Sequence, residues 1–309
     1  MGKIAFVFSG QGAQYVGMGK SLYETSTAAK KLYDAAESIR PGTMAQSFDG
    51  SDEDLKITAN TQPCLYLVDL CAALALSENG VNPDAVAGFS LGEVAALAFA
   101  GSYSCEDGFR IVTERGKAMS KACETSEKTA MCAVLKLGEE KVCEICSKYD
   151  KVYPVNFNCP GQISVSGLET SITALTEEVK AEGGRAVPLA VAGAFHSPFM
   201  AQAATEFAEA IKGYTLKAPT LPVYSNLTAQ PYDGNVAENL KAQIQNPVLW
   251  QKTVENLIAE GFTEFIEVGA GKTLCGLIKK ISKDVNTYSV EDADTLKETL
   301  TALRERGII

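Results

Sequence analysis

Short apolar runs bounded by glycine alternate with helical periods along the first part of the chain. Residues 3–8 and 85–89 are such runs, and they predict buried strands. A long apolar stretch at 64–77 follows Pro63 and predicts a helix with this proline in its first turn, where the missing N–H costs nothing. Further helices are predicted at 20–39, 91–100 and 106–123.

The pattern changes near residue 126 and later returns. Strands are predicted at 129–137, 151–157, 162–167 and 185–191, and helices at 139–148 and 170–182. This β-α-β-β-α-β order is typical of a ferredoxin-like unit. After His196 the earlier pattern resumes, with helices at 199–212, 236–244, 250–260 and 273–281 and strands at 221–225 and 263–268. We therefore predict an α/β fold in which a large α/β-hydrolase-like domain with a parallel sheet core (1–125 and 196–309) carries an inserted small ferredoxin-like domain (126–195).

Composition and charge limit the classes of protein to which this chain can belong. A hydrophobic content of 46% and a charged content of 21% are those of a globular protein. The net charge of −10 argues against nucleic acid as a partner, because phosphate binding needs a basic face. The N-terminal apolar run is too short for a signal peptide, and no run approaches the roughly 18 residues of a membrane span. With nine scattered cysteines, we expect a cytoplasmic protein that does not bind membranes.

The segment Gly88-Phe89-Ser90-Leu91-Gly92 has the Gly-x-Ser-x-Gly form and lies between a predicted strand and a predicted helix. In that position it indicates a nucleophile elbow, a sharp turn that exposes the serine oxygen. A serine hydroxyl usually needs a base near neutral pH, most often imidazole, and His196 is the only histidine of the chain. The alternative is that Ser90 only caps a helix, a role that serine also fills well.

His196 lies in a loop, residues 193–198, at the predicted junction between the domains. Pockets form at such junctions, although a lone histidine is more often structural. A triad would need an acid to orient the imidazole. The acids between Ser90 and His196 lie mostly in predicted helices, and none ends a strand of the large domain. We therefore predict a Ser–His dyad in which a backbone or amide oxygen orients His196.

Other glycine-rich and cysteine-rich segments are further candidates for sites. Gly10-Gln11-Gly12 follows the first strand and could supply an N–H to an oxyanion, because small residues let the backbone approach a ligand. It is not a dinucleotide fingerprint, since Tyr15 stands where the third glycine is needed, and 269–273 is not a P-loop, since Ile266 replaces a glycine. The Cys143-x-x-Cys146 pair is expected to pack within a helix. One histidine excludes a Cys₂His₂ zinc site, and we expect no metal.

Taken together, these segments resemble the family of malonyl-CoA:acyl-carrier-protein transacylases over essentially the whole chain. The likeness is carried by residues 8–14, 61–63, 88–93, 115–119, 156–162, 194–197, 243–248 and 269–272. It implies an acyltransferase of fatty acid biosynthesis that moves malonyl from malonyl-CoA to the phosphopantetheine thiol of acyl carrier protein through a malonyl-serine intermediate. It implies no cofactor, since malonyl-CoA is a substrate, and we expect a monomer.

The resemblance also implies roles for individual residues. Ser90 attacks the thioester, His196 takes its proton, the N–H groups of Gln11 and Leu91 stabilise the oxyanion, the Gln243 carbonyl orients His196, and Arg115 binds the malonyl carboxylate. A planar guanidinium matches a carboxylate, and a desolvated pair would select malonyl over acetyl. Without the family, Arg115 would pass for an ordinary surface arginine.

Residues beside these positions bear on substrate choice. In related polyketide acyltransferases, a phenylalanine before the histidine and a branched aliphatic residue after the serine accompany malonyl rather than methylmalonyl, and Phe195 and Leu91 fit this. Asn158, in the small-domain segment, is expected to bind substrate. Two positions depart from the family, because Phe89 replaces a usual histidine and Ala270 a common proline.

Acyl carrier protein, the implied partner, is strongly acidic and would need a local basic patch. Lys117, Lys121 and the lysines of 272–283 are candidates. Within the same reaction class, a trans-acting polyketide acyltransferase or a malonate decarboxylase acyltransferase remains an alternative. A serine thioester hydrolase and a non-catalytic module that binds carrier protein are the alternatives of other classes.

Overall fold

Two β-sheets organise the computed structural model, which describes residues 2–124 and 127–309. The strands are, in chain order, β1 (Lys3–Phe8), β2 (Ala85–Gly88), β3 (Thr129–Leu135), β4 (Val152–Cys159), β5 (Gln162–Leu168), β6 (Arg185–Pro188), β7 (Val223–Tyr224), β8 (Phe262–Val268) and β9 (Asn286–Val290). The helices are α1 (Lys20–Thr25), α2 (Thr27–Ile39), α3 (Thr43–Asp49), α4 (Asp52–Lys56), α5 (Thr58–Glu78), α6 (Leu91–Phe99), α7 (Cys105–Ala122), α8 (Glu139–Ser147), α9 (Glu169–Ala181), α10 (Ala201–Ile211), α11 (Val236–Gln245), α12 (Trp250–Ala259), α13 (Thr273–Ile281) and α14 (Ala293–Glu305). Residues Pro198–Met200 add one turn of 3₁₀ helix.

The topology of the two sheets confirms the predicted fold class. Strands β7, β2, β1, β8 and β9 form, in this order, a sheet in which all neighbours are parallel. Strands β4, β5, β3 and β6 form, in this order, a separate antiparallel sheet. The second sheet arises from the predicted β-α-β-β-α-β run between β3 and β6. The predicted domain boundary between residues 125 and 126 lies outside the described residues.

The central strand β1 is buried on both faces. Phe6 and Phe8 belong to the larger hydrophobic core, which includes residues of α5, α6 and α7. Ala5 and Val7 point to the opposite core, which includes residues of α12 and α13. Because successive side chains of a strand alternate between faces, helices on both sides turn β1 into the continuous apolar run seen in the sequence.

The register of the parallel strands brings three strand ends together. Phe8, the last residue of β1, pairs with Gly88 of β2 and with Val268 of β8. The loop that begins at Ser9 and the turn at Ser90 therefore leave the sheet side by side. Ligands of open parallel sheets bind outside the carboxyl ends of the strands, so this edge is where a site is expected.

A short parallel bridge ties the antiparallel sheet to the segment between α11 and α12. The N–H of Phe157 donates to the Val248 carbonyl at 3.0 Å, and the Val248 N–H donates to the Val155 carbonyl at 2.8 Å. These bonds hold Asn156 of β4 against the parallel-sheet part of the molecule.

Several local predictions are wrong. The predicted helix 20–39 is two helices, because Ser26 adopts an extended conformation and its side chain caps α2. Helix α5 begins at Thr58, so Pro63 lies in its second turn rather than its first. Helices α3, α4 and α14 and strand β9 were not predicted. Only the last residue of β9 is buried, so this edge strand lacks the apolar run that would reveal it.

Helix α5 is buried along most of its length, which explains why its sequence is apolar on all sides. None of the helices within residues 2–124 and 127–309 combines the length and the hydropathy of a membrane span.

Gly92, in the first turn of α6, packs directly on the end of β1. A Cβ atom there would lie 2.4 Å from the Phe8 carbonyl oxygen and 2.5 Å from that of Ser9. We expect Gly92→Ala to lower the free energy of unfolding by about 1–3 kcal/mol through overpacking, measured by urea denaturation. Gly276, in α13, is the control, because a Cβ there meets nothing within 4 Å and alanine should stabilise by about 0.4–1 kcal/mol. Equal stabilities of the two variants would contradict the close packing of α6 on β1.

Candidate active site

Ser90 lies at the turn between β2 and α6 in a backbone conformation that is rare for a residue with a side chain. Its φ is 54°, and such a conformation costs on the order of 1–3 kcal/mol. Although Ser90 occupies the N-cap position of α6, its side chain makes no capping hydrogen bond. The oxygen Oγ instead lies 2.7 Å from Nε2 of His196. The geometry therefore favours the nucleophile elbow over the capping role.

Asn226, which the sequence analysis does not identify as a site residue, binds both sides of this turn. Its Oδ1 accepts a hydrogen bond from the Ser90 N–H at 2.7 Å, and its Nδ2 donates to the Gly88 carbonyl at 2.6 Å. The Asn226 N–H in turn donates to the buried carboxylate of Glu93 at 2.7 Å, which Tyr232 also contacts. Burial raises the pKa of Glu93 to about 7.

His196 is held in one tautomer. Its Nδ1 lies 2.9 Å from the backbone carbonyl of Gln243, and a carbonyl only accepts, so this nitrogen carries the proton. Nε2 is then free to accept from the Ser90 hydroxyl. The ring is only 4% exposed, and burial, followed by the positive charge of Arg115, lowers the pKa of His196 to about 4. A backbone oxygen thus orients the imidazole that contacts Ser90.

Arg115 is a fully buried cation whose guanidinium points at the same serine. Its NH2 group donates to Ser90 Oγ at 3.1 Å and to Gln243 Oε1 at 2.8 Å, and its NH1 group donates to Gln62 Oε1 at 2.8 Å. Nε has no acceptor, and within the described residues no carboxylate lies within 4.0 Å. Burial lowers the pKa of Arg115 to about 10, against the opposing effect of Glu93. A buried cation without an anionic partner is costly, so this arrangement suits a ligand carboxylate.

The loop after β1 brings Gln11 to the rim of the site. Gln11 and Leu91 border the same cavity as Ser90 and His196. In the part of the chain that the structure describes, their N–H groups form none of the backbone hydrogen bonds of turns and caps. Ser9 anchors the loop from below by donating to Asp69 at 2.7 Å. Burial raises the pKa of Asp69 well above its ordinary value.

The cavity over Ser90 has a volume of about 360 Å³, and Phe195 and Met119 belong to its apolar lining. A second cavity of about 210 Å³ adjoins it, and Phe89 and Asn156 border both. Asn158 borders only the second cavity, so the structure does not place it beside Ser90. Its Oδ1 is buried without a hydrogen-bond partner.

Phe89, the departure from the family pattern, packs its ring edge against Trp250 at a centroid distance of 5.5 Å. A Cβ on Gly10 would come within 2.9 Å of the Phe89 ring. The ring therefore supports the loop that carries Gln11 by apolar contact.

Three residues of the site escaped the sequence analysis. Asn226 contacts Ser90, which is 136 positions away in the sequence, and Gln62 contacts Arg115, which is 53 positions away. No local spacing in the sequence could therefore reveal them. Asp69 did leave a signal, because it is the one acid within the apolar stretch 64–77. A buried acid in such a helix indicates a specific hydrogen-bond partner.

Comparisons with known proteins show which family the chain belongs to. The model of the family described as "Acyl transferase domain" matches residues 5–301. The malonyl CoA-acyl carrier protein transacylase of Bacillus subtilis is 39% identical over 315 residues, which cover 99% of each chain. The crystal structure of the malonyl CoA-acyl carrier protein transacylase from Clostridium perfringens matches with a TM-score of 0.95 at 35% identity, covering 99% of this chain and 98% of that one.

A third relative was solved as a complex, described as a type II PKS acyl-carrier protein with its malonyl-transacylase. It matches with a TM-score of 0.92 at 31% identity, covering 97% of this chain and 99% of that one. Identity of this order over nearly the full length of each protein goes beyond a shared fold. The chain therefore belongs to the acyl transferase domain family.

Proposed function

We propose that this acyltransferase moves malonyl from malonyl-CoA to the phosphopantetheine thiol of acyl carrier protein, in fatty acid biosynthesis. The observation that carries the proposal is the buried guanidinium of Arg115, which has no carboxylate partner and touches the oxygen of Ser90. A site built only to hydrolyse neutral esters has no use for such a cation. In malonyl, one methylene group separates the carboxylate from the reacting carbonyl. One acyl group can therefore place its carboxylate on Arg115 and its carbonyl carbon at Ser90 Oγ.

Acyl transfer proceeds in two steps. In the first, Ser90 Oγ attacks the thioester carbonyl while Nε2 of His196 takes the hydroxyl proton. The N–H groups of Gln11 and Leu91 stabilise the negative oxygen of the tetrahedral intermediate. The C–S bond then breaks, the proton passes from His196 to the sulfur, and CoA leaves as a thiol. In the second step, His196 takes the proton of the phosphopantetheine thiol, whose sulfur attacks the carbonyl carbon of the malonyl-serine ester. The ester C–O bond then breaks, and the proton passes from His196 to Ser90 Oγ, which restores the free enzyme.

The acyl pocket fits malonyl in both charge and size. The Nε–H of Arg115 is free, and the NH2 N–H that donates to Ser90 Oγ can turn to a ligand. These two N–H groups can then donate side by side to one carboxylate, a geometry that arginine favours. Phe195 is largely buried against the cavity, and its ring would crowd the position of a further methyl group. Both contacts support selection of malonyl over acetyl and over methylmalonyl.

The second cavity suits the phosphopantetheine arm. Asn156 and Asn158 each have a buried Oδ1 without a donor, and both residues border this cavity. Unpaired buried acceptors cost about 1–3 kcal/mol each, so a ligand that brings N–H donors is favoured there. The two amide N–H groups of the arm are such donors. Asn158 thus binds substrate at a distance from Ser90 rather than beside it.

We also propose that residues 1–125 and 196–309 form one domain and residues 126–195 an inserted one. The separate antiparallel sheet supports this division. The proposed reaction is complete with the protein's own groups, so it needs no cofactor. A cytoplasmic location fits the nine cysteines, all of which are free thiols.

The decisive experiment is incubation with malonyl-CoA followed by intact mass measurement, with and without acyl carrier protein. The wild-type protein should gain one malonyl group and pass it to the carrier, whereas Ser90→Ala should gain none. Ser102→Ala is the matched control, because it removes a buried hydroxyl that has no hydrogen-bond partner. An adduct on Ser90→Ala would sink the assignment of the nucleophile. Fast loss of malonyl to water without carrier would point to a hydrolase.

The carboxylate role of Arg115 predicts a change in acyl selectivity. Arg115→Ala should lower the ratio of malonyl loading to acetyl loading, each taken as kcat/KM, on the order of 10²- to 10⁴-fold, because it removes a desolvated charge pair worth about 3–5 kcal/mol. Arg110→Ala on the same helix is the control, since Arg110 pairs with Asp107 near the surface. Equal losses with both acyl groups would refute the carboxylate contact.

The lowered pKa of His196 predicts the pH dependence of the acylation of Ser90. A base must be neutral, so kcat/KM with p-nitrophenyl acetate should stay level as pH falls to about 5 and should decline around the pKa of about 4. Arg115→Gln removes a positive charge that lowers this pKa and should move the decline to higher pH.

The variant Glu93→Gln shows whether Glu93, whose pKa is about 7, contributes to the pH dependence of kcat/KM. A decline near the ordinary histidine value in both wild type and Glu93→Gln would contradict the effect of burial on His196.

A further inference from the structure

The lysines that could meet an acidic carrier protein fall into two groups. Lys117 and Lys121 lie on α7, where each already has a carboxylate partner at 2.8 Å, Glu114 and Glu206 respectively. Paired charges present little net potential to a visiting protein. These two lysines are therefore poor candidates for docking.

A second group of lysines surrounds Gln162 at the start of β5. Lys280 of α13 donates to Gln162 Oε1 at 3.0 Å, and the backbone N–H of Lys136 donates to the Gly161 carbonyl at 2.8 Å. Lys272 precedes α13 and is exposed, as are Lys136 and Lys280. Within residues 2–124 and 127–309, none of these three lysines has a carboxylate within 4.0 Å. We call Lys136, Lys272 and Lys280 the lysine face.

The lysine face borders the outer end of the second cavity. Gln162, Thr273 and Leu277 line that cavity, and Thr273 is exposed, so the cavity opens beside Lys272 and Lys280. At its inner end the cavity shares Gln11, Gly12, Phe89, Asn156 and Leu189 with the cavity over Ser90. A continuous path therefore leads from the lysine face to the serine.

Two carboxylates close to the start of α13 are already engaged. Glu267 is buried and accepts the N–H groups of Leu274 and Cys275. Glu291 accepts the Gly271 N–H at 2.8 Å and also bonds Tyr15. Tyr15 is itself 38% exposed, so an apolar ring stands beside the Lys272 turn.

The helix α4, on another side of the Ser90 cavity, carries more acids than lysines. Lys56 borders that cavity, but Lys56 lies 4.0 Å from Glu53, and Asp52 and Asp54 occupy the same short helix α4. This side would repel an acidic protein. The two openings thus differ in the sign of the charge around them. Of the two, the opening at the lysine face combines unpaired lysines with a path to Ser90.

We propose that the lysine face docks the acidic carrier protein, so that its phosphopantetheine arm reaches Ser90 through the second cavity. This inference rests on the proposed function. Complementary charge mainly raises the rate of encounter, which appears in kcat/KM for the carrier rather than in the chemistry at Ser90.

The test is the double variant Lys272→Glu/Lys280→Glu, with Lys117→Glu/Lys121→Glu as the matched control. At saturating malonyl-CoA, the first variant should lose about tenfold or more in kcat/KM for holo carrier protein, and the control less than twofold. Transfer to free pantetheine, a neutral thiol that needs only the path, should be equal in both variants and the wild type. Full malonyl occupancy of Ser90 by intact mass shows that the variants fold.

Each other outcome is informative. Equal losses in the two variants, or none in the first, would overturn the docking face while leaving the proposed function intact. A rise confined to the KM for malonyl-CoA would assign the lysines to the phosphates of CoA and would also overturn it. Absence of any malonyl adduct on the wild-type protein would instead contradict the proposed function.

Discussion

The turn at Ser90, where φ is 54°, depends on the absence of a side chain at Gly88 and at Gly92, two residues away on either side. A Cβ on Gly88 would lie 2.0 Å from the carbonyl carbon of Gly92, and a Cβ on Gly92 would strike the end of β1. The two glycines let α6 start directly against the sheet, and Asn226 ties the N–H of Ser90 to the carbonyl of Gly88. The positions of the hydroxyl, of the Leu91 N–H and of the neighbouring Gln11 loop all follow from this turn.

One buried cation sets the electrostatics of the whole site. The positive charge of Arg115 adds to burial in lowering the pKa of His196, which keeps the imidazole neutral and able to accept a proton. The same guanidinium donates to Ser90 Oγ and so favours a negative oxygen there. Glu93 offsets part of the cost of burying this charge without touching it, since the Glu93 carboxylate is held by Asn226 and Tyr232. A direct ion pair would have cancelled the cation before any substrate arrived.

The sequence predicted best the structural features that depend on short segments. The elbow at Ser90 depends on five consecutive residues, and the run from β3 to β6 depends on the order of neighbouring elements, so both could be predicted locally. Asn226 is different, because its contacts cross 136 residues and depend on the pairing of β7 with β2. Strand β9 could not be predicted for another reason, because a half-exposed edge strand has no apolar run. The roles proposed for Gln243 and Arg115 came from the resemblance, because a backbone carbonyl has no side-chain signal and a buried arginine looks like a surface one in a sequence.

A protein with a net charge of −10 can still attract an acidic partner. At physiological ionic strength the Debye length is about 8 Å, so charges on distant faces are screened and the local pattern decides. Two carboxylates beside the lysine face bind backbone groups of the protein: Glu267 accepts N–H groups at the start of α13, and Glu291 accepts one from the preceding turn. The acids that position these backbone groups therefore leave the neighbouring lysines unpaired. The same packing that shapes the second cavity leaves a positive charge at its opening.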